Sequence, residues 1–267
     1  MVDVSIIMPL ARVDDFFRKA LKSVSEQTYH DYELIIVCPE EIIDIARKEL
    51  VLAGLEGKTR VIATSLGGVA FAANLGIAAS SGRYVARWDS DDLCESNRLA
   101  AQVEHLNKNP EVAVLGTRVV IIDENGRPVL NHHFKFFEYD REIRRALKYR
   151  QPLLHSSLMF RREVLFNVKG YLYGNTSEDH EMFIRIARNK RIKFYNLPNV
   201  ITLYRRHLKQ LTDYSNYSKR KIKFAEISAF LFCEFLLTND FTYIFGMIAT
   251  HPFPRHIRQL WRNFKLK

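Results

Sequence analysis

Nearly continuous apolar runs alternate with amphipathic stretches along the first 123 positions of the chain. The apolar runs have the length of strands and occupy residues 2–10, 32–40, 60–65, 83–88 and 112–123. The stretches between them place apolar residues at helical spacing, at residues 14–27, 40–54, 67–82 and 93–109, and Asp14 can cap the first of these helices. Strands that are apolar on both faces and alternate with helices predict an α/β fold with a mostly parallel sheet.

The pattern changes after Asp123, where the sequence ENGRPV predicts a turn. The segments that follow predict a helix near 139–150, a strand at 155–160, helices at 161–170 and 177–190, and a strand, turn and strand over 192–207. We therefore expect residues 1–123 to bind a nucleotide at the carboxyl ends of the strands, as parallel sheets do. Residues 124–210 complete a cleft in the same domain, and residues 211–267 form a helical C-terminal extension.

The positive charge is concentrated near the C-terminus. The chain has a net charge of +10, and residues 185–267 contain 17 Lys and Arg against 4 Asp and Glu. The basic residues could form a solvated face, or contact nucleic acid or an anionic membrane surface. Nothing resembles a nucleic-acid-binding module, and large apolar residues are interleaved with the basic ones in 218–267, which favours peripheral membrane contact.

The remaining composition indicates a cytoplasmic protein. The three cysteines are scattered and lack the spacing of metal ligands, which is typical of reduced thiols. The N-terminus has no basic segment before its apolar stretch, so no signal peptide is expected. Glu234 and Asp240 interrupt the C-terminal apolar stretches, so a membrane-spanning helix is not expected either.

Three aspartates crowd the end of the fourth predicted strand in RYVARWDSDDLCE. Asp92 and Glu95 have the spacing of a capping box for a helix at 93–109. That interpretation leaves Asp89 and Asp91 unexplained. Carboxylates at this spacing could hold Mg²⁺ or Mn²⁺, although Asp-rich turns without a metal are also common.

Several linked motifs resemble the inverting glycosyltransferases of family 2, which have the GT-A fold and a DxD motif. The matching segments are VSIIMPL, SVSEQTYHDYELIIV, GGVAFAANLGIAASSGRYVARWDSDD, HSSLMFRREVLFNVKGY, SEDHEMFIRIA and LYRRH, in this order over residues 2–207. The resemblance implies a Rossmann-like sheet and transfer of a sugar from a nucleotide-diphosphate donor to a saccharide hydroxyl.

The resemblance also implies where the donor and the metal bind. Asp91 is expected to coordinate Mn²⁺ or Mg²⁺, His207 to complete the metal or diphosphate site, and Arg205 or Arg206 to neutralise phosphate. The other expected donor-binding residues line the nucleotide pocket: Pro9, Leu10, Ala11, Cys38, Glu40, Asn74, Asp89 and Ser90.

The sequence SEDHE at 177–181 has two interpretations. Ser177 could cap a helix whose first turn is acidic, which is an ordinary arrangement. The resemblance instead implies that Asp179 is the general base, and that Glu178 orients the acceptor or the base. Within the same resemblance His155 is expected to face the acceptor or the donor sugar.

Two positions depart from the pattern of the family. The second strand ends in Cys38, Pro39 and Glu40, where these enzymes usually have aspartates that read uracil, so Glu40 or a backbone carbonyl must take that role. Ala72 and Ala73 precede Asn74 where many relatives have an arginine. The diphosphate is then expected to have one fewer cationic partner. A UDP-sugar remains the expected donor, although the first departure leaves open that the base is not uracil or is read differently.

The sequence therefore predicts a metal-dependent, inverting hexosyltransferase-type enzyme. We expect it to act in polysaccharide, lipopolysaccharide or other glycan biosynthesis, at the cytoplasmic face of a membrane. Its expected acceptor is a saccharide, lipid-linked or free, and no nucleic acid is expected as a partner. The alternatives are a non-catalytic carbohydrate- or partner-binding relative and a nucleotidyltransferase, although the latter needs a Gly-rich basic loop that MPLARVDD lacks.

Overall fold

The structure is a computed structural model that describes residues 2–129, 134–173, 177–207 and 217–250. The side chains of 217–220 and 249–250 are outside this description. The predictions made for residues 208–210, and for residues 211–216 and 251–267 of the C-terminal extension, therefore lie outside the described residues.

The described residues form strands and α-helices in the order that the apolar pattern predicts. The strands are β1 (Val4–Pro9), β2 (Tyr32–Cys38), β3 (Thr59–Ala63), β4 (Tyr84–Arg87), β5 (Leu93–Cys94), β6 (Val112–Ile122), β7 (Met159–Arg161) and β8 (Lys193–Arg205). The helices are α1 (Asp15–Ser25), α2 (Ile43–Leu52), α3 (Val69–Ala79), α4 (Arg98–Lys108), α5 (Asp140–Leu147), α6 (Arg162–Asn167), α7 (Glu178–Arg188), α8 (Tyr217–Thr238) and α9 (Thr242–Thr250).

The strands form one mixed sheet in the order β3-β2-β1-β4-β7-β6-β8-β5. The pairs β1–β2, β1–β4, β2–β3 and β6–β8 are parallel, which agrees with the predicted mostly parallel sheet. Strand β7 is antiparallel to both neighbours, and β5 is antiparallel to β8. The short β7 thus joins the two parallel groups into a continuous sheet.

Helices cover both faces of this sheet, and the alternation of side chains along β1 shows how. Val4, Ile6 and Met8 point into a core cluster that includes residues of α1, α2 and α4. Ile7 points to the opposite face, into a cluster with residues of α3, α5, α6 and α7. A strand covered on both faces must be apolar at nearly every position, which is the pattern observed in the sequence.

The start of α1 confirms one predicted cap. The Asp14 side chain accepts hydrogen bonds from the backbone N–H groups of Phe16 and Phe17, at 3.0 and 3.1 Å. An aspartate at this position satisfies helix N–H groups that would otherwise lack partners. It fixes the path of the chain directly after β1.

The predicted capping box at Asp92 and Glu95 is wrong. Helix α4 begins at Arg98, with Asn97 at its N-cap, and residues 93–94 form β5 instead. Asp92 is fully buried, and the Glu95 carboxylate accepts a hydrogen bond from the backbone N–H of Ile201 at 3.0 Å. The two acids therefore hold this segment against β8, and neither of them caps a helix.

Three further predictions need correction. Residues 192–207 do not form two strands, because β8 runs continuously from Lys193 to Arg205 and accommodates residues 198–200 as an irregularity in its pairing with β6. The predicted strand at 155–160 begins with a short 3-10 helix, and β7 starts only at Met159. Ser177 lies at the N-cap of α7, but its side chain makes no capping hydrogen bond.

Helices α8 and α9 pack on α7 and α5 and expose an apolar outer surface. Ile227 and Leu231 of α8 form a small core cluster with Ile184 of α7. Exposed large apolar residues of this hairpin are Ile222, Phe232, Leu236, Leu237, Phe241, Phe245 and Ile248. In the part of the chain that the structure describes, no helix is long and apolar enough to cross a bilayer.

The close approach of Gly82 to β1 predicts that a larger residue at this position destabilises the fold. A Cβ at Gly82 would lie 2.7 Å from the backbone nitrogen of Ser5 and 2.8 Å from the carbonyl carbon of Val4. Because backbone atoms cannot move aside as a flexible side chain can, we expect Gly82→Ala to lower the free energy of unfolding by about 1–3 kcal/mol. Chemical denaturation measures this value.

Gly57 supplies the matched control, because a Cβ there would meet nothing within 4 Å. Gly57→Ala should therefore leave the free energy of unfolding within about 1 kcal/mol of wild type. Equal effects of the two substitutions would contradict the packing of the 80–83 turn against β1.

Candidate active site

The carboxyl ends of β1, β2 and β4 meet at one edge of the sheet, where parallel strands commonly bind ligands. The register pairs Pro9 with Val37 and Ile7 with Arg87, so Pro9, Cys38 and Asp89 follow at neighbouring strand ends. Pro9 is half-buried and Ala11 is exposed. The first predicted donor-binding segment therefore lies at this edge.

The side chains of Leu10 and Cys38 do not face a ligand. Both are buried in the core cluster beneath the sheet edge, and burial raises the pKa of the Cys38 thiol. Their predicted donor contacts are therefore corrected to backbone atoms alone. Glu40, two residues beyond Cys38, is exposed at the start of a short 3-10 helix and remains accessible.

Asp89 is paired with Arg87, a residue that the sequence interpretation missed. Arg87 is only 3% exposed, and its Nη2 lies 2.5 Å from Oδ1 of Asp89. Its Nη1 donates to the carbonyl oxygens of Ile7 and Trp88 at 3.2 and 3.0 Å. An arginine inside an otherwise apolar strand was the available signal, since a buried guanidinium requires a nearby anion or several acceptors.

Burial raises the pKa of Asp89, while the Arg87 guanidinium lowers it. The carboxylates of Asp91 and Asp179 raise it further, which places Asp179 close to the end of β4 although it belongs to a distant part of the chain. We call the group Asp89, Asp91, Glu178 and Asp179 the acidic site.

Asp91 meets His207, as the resemblance implies for the metal site. Oδ2 of Asp91 lies 2.9 Å from Nε2 of His207. The imidazole side chain is 1% exposed and packs on the ring of Phe16 with a centroid distance of 4.8 Å. The third aspartate, Asp92, is held elsewhere, by hydrogen bonds from the Ser156 hydroxyl and from the backbone N–H of Arg205.

The donor atoms of Asp91 and His207 fit a divalent cation. A carboxylate oxygen and an imidazole nitrogen suit Mn²⁺ well and Mg²⁺ less well, and the other positions of an octahedral ion can be filled by phosphate oxygens and water. Among the described residues, no group of three or more His, Cys, Asp or Glu side chains is arranged to hold a metal without such help. Asp91 and His207 could thus supply two of the six ligands of such an ion, and a diphosphate could supply others.

The predicted phosphate contact of Arg205 is wrong. Arg205 is fully buried and donates from Nε to the carbonyl oxygen of Asp91, and from Nη1 to those of Asp123 and Glu124, at 2.9 to 3.1 Å. Its guanidinium supports the loop that carries Asp91. Arg206 is exposed and is the remaining candidate of the pair.

Glu178 and Asp179 occupy the first turn of α7 and are partly buried. Oδ1 of Asp179 accepts a hydrogen bond from the backbone N–H of His180 at 2.6 Å, which orients the carboxylate. Burial and, next, the Asp179 carboxylate raise the pKa of Glu178 to about 7. A carboxyl group whose pKa is raised, next to a second carboxylate, is typical of sites that move protons.

His155 lines the same region with Tyr171. Nε2 of His155 makes a hydrogen bond with the Tyr171 hydroxyl, and burial, followed by the Arg87 charge, lowers the pKa of the imidazole to about 3. The ring is therefore neutral at physiological pH. Tyr171 was missed by the sequence interpretation, because its partner is sixteen residues away in a region without periodic pattern.

The side chain of Asn74 holds Tyr171 in place. Its Nδ2 donates to the carbonyl oxygen of Tyr171 at 2.8 Å, and its Oδ1 accepts from the Tyr171 N–H at 2.9 Å. Both ends of the amide are thus used within the protein. Asn74 thus positions Tyr171, and its predicted contact with the donor stays a prediction. Ser90 stays half-exposed between Asp89 and Asp91, and its predicted contact with the donor stays a prediction.

Comparison with protein families and curated proteins agrees with the geometry. The profile described as "Glycosyl transferase family 2" matches residues 5–168, more than half of the chain. The O-antigen biosynthesis glycosyltransferase WbnJ of Escherichia coli is 27% identical over 241 residues, which cover 90% of this chain and 91% of that protein. The E. coli UDP-Glc:alpha-D-GlcNAc-diphosphoundecaprenol beta-1,3-glucosyltransferase WfgD is 34% identical over 107 residues, 40% of this chain and 42% of that one.

Solved structures share the fold. Staphylococcus aureus TarS 1–349 in complex with UDP-GlcNAc has a TM-score of 0.65 at 16% identity, over 86% of this chain and 65% of that chain. The mannosyltransferase PcManGT of Pyrobaculum calidifontis, in complex with GDP-Man and Mn²⁺, has a TM-score of 0.64 at 17% identity, over 93% of this chain and 69% of that chain. These likenesses confirm the predicted GT-A type of α/β fold, with a central sheet flanked by helices.

The raised pKa of Glu178 predicts a pH-dependent stability. The pKa rises from the ordinary value of 4.5 to about 7, so the folded state holds this proton more tightly than the unfolded chain. The resulting stabilisation is complete below pH 4.5 and is lost as the pH rises through 7. Glu178→Gln removes the ionisation, and we expect the variant to exceed wild type by about 1–3 kcal/mol in free energy of unfolding at pH 8 and to match it near pH 4.5.

Denaturant unfolding of both proteins at several pH values measures this difference. Glu163→Gln, at an exposed position of α6, is the control for the substitution itself. A stability difference that does not grow between pH 5 and pH 8 would contradict the raised pKa of Glu178.

Proposed function

The chain belongs to glycosyl transferase family 2, and we propose that it is an inverting, metal-dependent member that transfers a sugar from a nucleotide-diphosphate donor to a saccharide hydroxyl. The observation that carries this proposal is the acidic site itself. Asp89 and Asp91 end a strand of the donor half, and Asp179 approaches them from the N-terminus of α7. Leaving-group binding and proton removal are thus assigned to opposite sides of one site.

The donor binds along the carboxyl ends of β1, β2 and β4, next to Pro9, Ala11, Asp89 and Ser90. Support comes from TarS and PcManGT, which share the fold and whose structures contain UDP-GlcNAc and GDP-Man. A UDP-sugar is the preferred donor, since the name of WfgD also specifies UDP-Glc. Exposed Glu40 is the nearest side chain at the end of β2 that can accept hydrogen bonds from a base.

Asp91 and His207 would hold Mn²⁺ or Mg²⁺. Such a cation, when bound, neutralises the charge that develops on the departing nucleoside diphosphate. The mannosyltransferase PcManGT supports this assignment, because its structure is a complex with both GDP-Man and Mn²⁺.

Asp179 acts as general base. It takes the proton of the acceptor hydroxyl while that oxygen forms a bond to the anomeric carbon, and the bond from this carbon to the diphosphate oxygen breaks with its electron pair. A single displacement from the opposite face inverts the anomeric centre, so no protein nucleophile is needed. Glu178 and the neutral His155 flank the acceptor and orient its hydroxyl groups.

The acceptor is a saccharide carried by a lipid, in polysaccharide, lipopolysaccharide or related glycan biosynthesis. The names of WbnJ and WfgD, which refer to O-antigen biosynthesis and to a diphosphoundecaprenol-linked sugar, support this class. The protein then works at the cytoplasmic face of a membrane, in peripheral contact through residues 218–267. Residues 1–123 serve the donor, and residues 124–210 serve the acceptor.

The substitution Asp179→Asn tests the catalytic assignment. A screen of nucleotide sugars for metal-dependent hydrolysis or thermal stabilisation first identifies the donor. We then expect Asp179→Asn to lower kcat by roughly 10²–10⁴-fold, because the amide cannot take the proton, while donor binding is retained. Asp44→Asn, at an exposed position of α2, should leave both unchanged. Full function of Asp179→Asn would favour the non-catalytic, carbohydrate-binding alternative.

Substitutions on the exposed face of α8 test the proposed membrane contact. Phe232 and Leu236 are 45% and 65% exposed, and their replacement by serine removes apolar surface without opening the core. We expect the double variant to bind vesicles containing anionic phosphatidylglycerol at least about tenfold more weakly than wild type.

Sedimentation with vesicles measures this binding, and Leu52→Ser on α2 is the control because Leu52 is 81% exposed elsewhere. Unchanged vesicle binding of the double variant would contradict the assignment. A change from dimer to monomer, measured by light scattering, would assign the face to a second copy of the chain.

A further inference from the structure

Helices α7 and α8 run side by side in the same direction. Ile184 of α7 packs on Ile227 and Leu231 of α8, and further along both helices Arg188 pairs with Glu234. Every α-helix rises about 1.5 Å per residue. Positions that lie the same number of residues before these contacts are therefore side by side on the two helices. Lys223, eleven residues before Glu234, therefore lies beside the first turn of α7.

The charge of Lys223 confirms this position. It lowers the pKa of Glu178 and also that of His180, both in the first turn of α7. Lys223 is half-buried, and Lys221, one half-turn earlier, is exposed. The cationic end of α8 is thus next to the first turn of α7, which carries Glu178 and Asp179.

The outer face of α8 begins at the same point and is free of charge. Ile222, Ala225, Ala229, Phe232 and Leu236 follow each other at alternating steps of three and four residues, all exposed. This spacing places them on one face of the helix, roughly opposite the face that packs on α7. Cations and an apolar stripe therefore adjoin each other next to the acceptor position.

We propose that the Lys223 end of α8 is a binding site for the phosphate of a lipid-linked acceptor. The sugar of such an acceptor lies at Glu178 and Asp179, its phosphate at Lys223, and its lipid along the outer face of α8. The proposal rests on the proposed function, whose acceptor it describes in more detail.

Electrostatics favours this arrangement over phosphate binding inside the acidic site. Four carboxyl groups surround the reacting hydroxyl, and unscreened like charges repel any further anion brought among them. The diphosphate of the donor is accommodated at Asp91 and His207 only together with a divalent cation. A second phosphate therefore requires cations outside the acidic site, and ammonium groups supply charge-assisted hydrogen bonds there.

Kinetics with two acceptors tests the site. Both carry the same sugar, one linked to a short prenyl diphosphate and the other to a neutral alkyl chain. We expect Lys223→Ala to raise KM for the diphosphate acceptor about tenfold, to leave kcat and the donor KM unchanged, and to leave the neutral acceptor unaffected. Lys223→Arg should retain most of the affinity, and Lys190→Ala, beyond the opposite end of α7, is the control.

The other outcomes overturn the proposal. Equal losses with both acceptors would mean that Lys223 acts only through Glu178, and no loss would exclude a phosphate contact. A loss that appears only when anionic vesicles are present, and is absent with the soluble acceptor, would assign Lys223 to lipid headgroups.

A binding measurement separates this proposal from the proposed function. Calorimetry with farnesyl diphosphate in EDTA avoids both the metal and the transfer reaction, and farnesol is the uncharged control. If wild type transfers no sugar but binds farnesyl diphosphate and Lys223→Ala does not, the phosphate site stands while the proposed function fails. If wild type transfers sugar but Lys223→Ala binds the probe equally well, the phosphate site fails alone.

Discussion

Repulsion among carboxylates at the end of β4 is the constraint on which the rest of the site depends. Three aspartates within four residues cannot share one partner in a poorly solvated place, because like charges at such distances cost several kcal/mol. The fold gives each of the three aspartates a different partner. Arg87 of β4 pairs with Asp89, His207 beyond β8 meets Asp91, and the Ser156 hydroxyl with the Arg205 N–H holds Asp92.

These partners explain why the second half of the chain must pack where it does. Ser156 lies just before β7, and Arg205 ends β8. Both reach the loop that carries Asp91 and Asp92 only if these strands join the sheet beside β4 and β6. The antiparallel β7, inserted between β4 and β6, is the connection that allows this. The loop that carries Asp91 and Asp92 is therefore held by residues of the second half of the chain, and the two halves cannot be positioned independently.

The sequence predicted the parts of the fold that depend on local pattern, and missed those that depend on distant partners. Apolar alternation located most strands and helices, and Asp14 was identified as a cap because its bonds reach only three residues ahead. Asp92 was misassigned because a capping box fits its spacing equally well, whereas its real partners are 64 and 113 residues away. The contact between Asn74 and Tyr171 was missed for the same reason, since Tyr171 is 97 residues further along the chain. The family resemblance placed Asp91 and His207 at one site, and the two side chains do lie 2.9 Å apart, whereas their role as metal ligands stays a prediction.

The C-terminal hairpin is part of the site, because it fixes the helix that carries Asp179. Helix α7 is held at three places: His180 bonds to the carbonyl oxygen of Leu147, Arg185 to that of Gly170, and Arg188 to the buried Glu234 of α8. A general base must keep its position relative to the leaving group, since small displacements at the reacting atoms cost large factors in rate. A surface that contacts α8 therefore also affects the position of α7, because the two helices are packed together. Contact of α8 with a lipid bilayer would orient α7 and its first turn together, so that docking and alignment of the acceptor become one event.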